Sequence, residues 1–134
     1  GCAMADRPVV TNAGERTRDG WDEPARGTVS WFTLVSGDIT PSSALSCGIA
    51  ELEARKGILK PHRHTPAELY HILEGEGVLT LDGAERTLRA GDTVFIPGDC
   101  EHGIRNESAA LLRLFYVFPE DRFSNVVYRF PDAS

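Results

Sequence analysis

Short runs of β-branched and aromatic residues, separated by turn formers, dominate the chain from Gly27 onward. The first, Val29-Ser30-Trp31-Phe32-Thr33-Leu34-Val35, stops at Gly37 and has the composition of a pleated, half-buried strand. Leu45 to Leu52, Leu69 to Leu73 and Gly77 to Leu81 follow. Asp82-Gly83 then supplies a favoured two-residue hairpin turn. Ala84 to Leu88, a Gly91-Asp92 turn, Thr93 to Ile96, Leu111 to Phe118 and Val126 to Phe130 complete the series. Turns recur about every ten residues and no long stretch has a helical period, so the pattern predicts an all-β sandwich or barrel. Residues 4 to 26 differ: they are polar and broken by Pro8, Gly14, Gly20 and Pro24. They predict an extended, partly disordered arm (1–26) ahead of one β domain (27–130) and a short tail (131–134).

Composition narrows the class. A chain of 134 residues fits one domain, and it can bury about two thirds of its unfolded surface without staples. With 41% hydrophobic and 25% charged residues it has the make-up of an ordinary globular protein. A net charge of -6 excludes a nucleic-acid partner, since nothing would neutralise a row of phosphates. No apolar run is long enough to span a bilayer, and no secretory leader is expected, because the first residues are charged throughout. Gly1, Cys2 and Ala3 stand ahead of Met4 and read as a cloning remnant. Cys2, Cys47 and Cys100 are odd in number and widely spaced, which predicts free thiols in a reducing cytoplasm rather than a disulfide framework.

The candidate chemistry lies in His62-Arg63-His64, Glu68 and His102. Residues two apart on a strand share a face, so His62 and His64 can aim at one interior point, and Glu68 has the same parity. Pro66 interrupts that parity argument. His102 follows the turn-forming Pro97-Gly98-Asp99-Cys100-Glu101 and can close the site from another strand. Three imidazoles and a carboxylate suit one divalent transition metal ion: iron, manganese, nickel, cobalt or zinc. Such a set leaves a position open for water or substrate. Cys100 falls near these residues but is not expected to be a ligand. His71 alternates with Tyr70 and is expected to face away, for packing or a subunit interface.

These spacings resemble the paired motifs of the cupin superfamily. Gly57 to Gly75 is similar to the first motif, with His-x-His, three residues, Glu, six residues and Gly; Gly91 to Asn106 is similar to the second. Two departures stand out. Four residues rather than five separate Gly57 from His62, and Asp99 occupies the place of a usual glycine. The resemblance implies a double-stranded β-helix, the cupin jelly-roll barrel, with His62, His64, Glu68 and His102 as metal ligands. Fold alone does not give the reaction.

Thr65 to Tyr70, Glu101 to Asn106 and Phe118 to Tyr128 make the chain similar to the small cupin-type dimethylsulfoniopropionate lyases. That resemblance implies a metal-dependent β-elimination giving dimethyl sulfide and acrylate from a small carboxylate substrate. Tyr70 becomes the base or a metal-linked tyrosine, and Tyr128 a second candidate for proton abstraction. A nearby cation is expected to lower a tyrosine pKa from about 10. Trp31, Phe32 and Tyr116 serve either as core packing or as cation–π partners of the sulfonium. A dioxygenase, a sugar isomerase and a non-catalytic ligand-binding cupin stay open as alternatives. A homodimer is also expected from the resemblance.

Overall fold

The computed structural model describes residues 5–131; the reading of residues 1–4, Cys2 included, and of the tail beyond 131 falls outside them. Ten strands run in chain order: β1 (Arg18–Glu23), β2 (Gly27–Val35), β3 (Ser46–Leu52), β4 (Ile58–His62), β5 (Glu68–Glu74), β6 (Glu76–Leu81), β7 (Ala84–Arg89), β8 (Thr93–Ile96), β9 (His102–Arg105) and β10 (Leu112–Phe118). All named pairings are antiparallel, in the order β7-β6-β9-β4-β2-β3-β10-β5-β8, with β1 added to β2. β2 joins two four-stranded halves: its first residues pair with β4 and its later ones with β3. The sheet curls so that both halves face one core, which makes the fold an all-β jelly-roll barrel.

Alternation decides which side chains enter that core. Leu112, Leu114, Tyr116 and Phe118 of β10 are buried while their neighbours are not, and Glu68, Tyr70 and Ile72 do the same on β5. Leu52, Leu79, Leu88, Ile96 and Ile104 meet them from the other strands. Each such apolar side chain contributes about 1.5–3 kcal/mol by leaving water. The Asp82-Gly83 hairpin has φ values of 50° and 85°, the double positive φ that a tight two-residue hairpin needs. Asn106, the last residue of the second motif, is a buried staple rather than a site residue. Its Nδ2 donates to the Leu52 and Ala110 carbonyls at 2.9 and 2.8 Å.

Two expectations are corrected. Within the supposed arm, Arg18–Glu23 is a full strand paired residue for residue with β2, and it carries Trp21 against the core. At the other end, Val126–Phe130 is not a strand: its one ladder contact is a bridge between Arg129 and Arg63. The stretch from Phe118 to Phe130 instead crosses the barrel mouth as a strap, with a single 3-10 turn at Phe123–Asn125. Among the described residues no helix is long and apolar enough to cross a membrane.

Candidate metal centre

Three strand ends meet at one mouth of the barrel. β4 ends at His62, β9 begins at His102, and these two residues are direct cross-strand partners. His64 lies just past β4, where the Arg63–Arg129 bridge keeps the chain extended and preserves the inward direction of every second residue. Glu68 opens β5 in the opposite half of the barrel. All four side chains are buried. One nitrogen from each of His62, His64 and His102 lies within 4.8 Å of the other two. Glu68 Oε1 is 3.1 Å from His64 Nε2 and 3.3 Å from His102 Nε2.

The hydrogen bonds fix which nitrogen of each ring is free. His62 Nδ1 is 2.7 Å from the Lys60 carbonyl, His64 Nδ1 2.9 Å from that of Pro66, and His102 Nδ1 2.8 Å from that of Cys100. A carbonyl only accepts, so each Nδ1 carries a proton and each Nε2 faces the common point, where that of His64 meets Glu68 Oε1. His62 Nε2 and His102 Nε2 have no hydrogen-bond partner among the described residues. An unsatisfied buried polar atom costs about 1–3 kcal/mol. A cation at that point would satisfy all three nitrogens and the carboxylate together, and backbone carbonyls are the outer partners that metal-bound histidines ordinarily have. The residues fit a divalent metal ion.

Protonation agrees with this reading. Burial, with the charge of His102 added, pushes the His62 pKa down to about 3, so its ring is neutral near pH 7. Burial also lowers that of His64, but the Glu68 hydrogen bond and charge outweigh it and the net shift is upward. Burial raises the Cys100 thiol, which keeps it protonated, and its contribution here is the carbonyl that receives His102 Nδ1.

A narrow cavity of about 30 Å³ in the barrel core reaches the cluster at Glu68, while the three histidines are not among its walls. Glu68, Tyr70, Tyr116, Tyr128, Trp21 and Trp31 are among its walls. Tyr70 faces inward beside Glu68, as its parity predicts, with its ring centre 6.2 Å from that of His102. Tyr128 arrives on the strap, its ring 5.0 Å from His62 and 5.3 Å from His64. With no cation present, burial, then the Glu68 charge, raises both phenols well above their ordinary pKa. Phe32 does not reach the cavity; it lies under the Arg18 guanidinium at 4.5 Å. Trp21 and Phe123 were missed and do line it. The signal for Trp21 was a lone large aromatic in an otherwise polar stretch. His71 points outward and meets Thr93 Oγ1 at 2.7 Å.

A curled two-half barrel with three cation-ready imidazoles at one mouth defines a small jelly-roll protein with an interior metal-type site. The cupin domain model matches residues 48–118, and the chain belongs to the cupin family. It is 41% identical over 123 residues to the dimethylsulfoniopropionate lyase DddW of Ruegeria pomeroyi, covering 92% of this chain and 80% of that one. Its fold is similar to the polyketide cyclase RemF of Streptomyces resistomycificus, with TM-score 0.80, 20% identity and 96% and 88% of the two chains covered. It also resembles a cupin 2 conserved barrel domain protein of Rhodopseudomonas palustris, with TM-score 0.75, 20% identity and 93% and 88% covered. At such identities these two likenesses concern fold alone.

Proposed function

We propose that this chain is a metal-dependent lyase that cleaves dimethylsulfoniopropionate by β-elimination into dimethyl sulfide and acrylate. One observation carries the reading: three imidazoles gathered at one barrel mouth sit beside Glu68, Tyr70 and Tyr128, which wall an aromatic cavity, in a chain 41% identical to a lyase of that substrate. His62, His64, Glu68 and His102 would hold the ion, and their donor set suits iron, manganese, nickel, cobalt or zinc. Bound there, a divalent cation supplies Lewis acidity toward the substrate carboxylate and opposes the burial that keeps the phenols protonated.

The chain's own residues do the rest. An ionised Tyr70, or Tyr128, takes the proton α to the carboxylate. The electrons of that C–H bond become the new C=C bond, and those of the C–S bond leave with sulfur as neutral dimethyl sulfide. Sulfonium is a good leaving group, so no acid is needed on that side. The faces of Trp21, Trp31 and Tyr128 attract the cationic sulfur by about 0.5–2 kcal/mol, and the apolar lining excludes bulk water. Tyr70 is the leading base because it is strand-borne, buried and adjacent to Glu68. The test is headspace measurement of dimethyl sulfide from iron- or manganese-loaded protein given the substrate. Release at least about a hundredfold above a His102→Ala control is expected; release equal to that control refutes the assignment.

A further inference from the structure

Asp99 stands where the second cupin motif usually has glycine, and its φ is +62°. Glycine adopts that conformation without cost, whereas an aspartate bears some strain there. Its carboxylate forms an ion pair with the Arg129 guanidinium. Its N–H donates to the His64 carbonyl at 2.8 Å, and its own carbonyl accepts from Arg63 Nη1 at 2.8 Å. Arg63, between the two neighbouring site histidines, exchanges two backbone hydrogen bonds of 2.9 Å with Arg129. Three segments are thus tied in a ring: the His62–His64 stretch, the turn that leads to His102, and the end of the strap.

Tyr128 is the residue before Arg129. Its hydroxyl makes no hydrogen bond to the described residues, and only ring packing places it over His62 and His64. The strap is anchored at its other end, where Asp38 accepts from Ser124 N and Oγ at 3.0 and 2.7 Å. The backbone between the two anchors therefore determines where the phenol lies. We infer that Asp99 and Arg129 are positioning residues: their ion pair clips the strap down and sets Tyr128 at the metal centre. Both side chains are more than half exposed, at 59% and 55%, so the pair adds little to global stability. The effect is local and separable from folding.

Asp99→Gly is the informative variant, because it restores the residue the backbone prefers while removing the carboxylate. Trypsin cleavage after Arg129, read by mass spectrometry, is expected to become about tenfold faster, since the clipped strap resists local opening. Tryptophan emission is expected to shift, because Trp21 packs 5.2 Å from Tyr128 and 5.9 Å from Phe130. Melting temperature and metal content stay at the parent level or above. The kinetic arm rests on the lyase reading: kcat for dimethyl sulfide release falls about tenfold and KM changes less than about threefold, as for a displaced reacting group. Asp99→Asn, which keeps the turn but loses the charge, gives the same changes, and Arg129→Lys retains most of the parent rate. Parental cleavage and emission in Asp99→Gly overturn the clip, and faster cleavage with unchanged kcat overturns the positioning role. If the parent releases no dimethyl sulfide, the lyase reading falls, and cleavage with emission still decides the clip.

Discussion

Each site histidine donates its Nδ1 proton to a carbonyl two residues from it in the chain. Ring orientation is thus set by local backbone, and the ligand nitrogens are in place before any ion arrives. In the metal-free protein His62 is held near a pKa of about 3, against about 6.5 in an unfolded chain. Between those values the unfolded state binds a proton that the folded state refuses. The stability due to His62 is therefore fully present above about pH 6.5 and lost as pH falls toward about 3, at about 1.4 kcal/mol per unit. His64 is shifted the other way, so its contribution is complete below about pH 6.5 and fades on the alkaline side. Urea denaturation of metal-free protein between about pH 7 and 4 should show the His62 loss, and His62→Asn should flatten it. An equally steep slope in that variant would remove His62 as the cause. The two phenols separate by substitution. Tyr70→Phe should lower kcat by about a hundredfold or more with metal still bound, and Tyr128→Phe by less. Full activity in Tyr70→Phe would transfer the base role to Tyr128.

At the level of elements, most strands were legible because alternation and turn residues agree with one another, as in β5, β6, β7 and β10. The failures have physical causes. β1, Arg-Asp-Gly-Trp-Asp-Glu, is an outer strand with a mostly solvated surface, so only Trp21 marks its inner face. β4 contains Pro61, which has no N–H to give a ladder, and the register shifts between Leu59 and His62. The run 126–130 alternates buried and exposed as a strand does, yet its inward residues pack on aromatic rings instead of pairing in the sheet. Periodicity reports an extended chain and not its partner. The four candidate ligands were legible because three of the four histidines, spaced around turns, are hard to place otherwise; the aromatic walls were not, since an aromatic on a strand reads equally as core. Trp21 offers a prediction here. It touches Trp31 at 4.9 Å and Tyr128 at 5.2 Å, so Trp21→Ala opens the cavity wall. Stability should fall by about 2–3 kcal/mol in chemical denaturation, and KM for a sulfonium substrate should rise several-fold. Unchanged KM would reduce Trp21 to packing.

For the whole molecule, the barrel places a buried cluster of cation-seeking atoms at a mouth fed by three strand ends, while the strap covers that mouth with aromatic rings. Removing one imidazole leaves the barrel core intact, so loss of chemistry and loss of fold are separable. A ligand that binds only the folded state stabilises it by mass action, so chelation should lower the melting temperature and added metal restore it. The most direct measurement is the rate of dimethyl sulfide release from chelator-stripped protein as a divalent metal is titrated back. The rate should start near zero, rise in proportion to added ion and level off at one equivalent per chain. A stripped protein that already turns over at the full rate would contradict a reaction run at the His62, His64 and His102 centre.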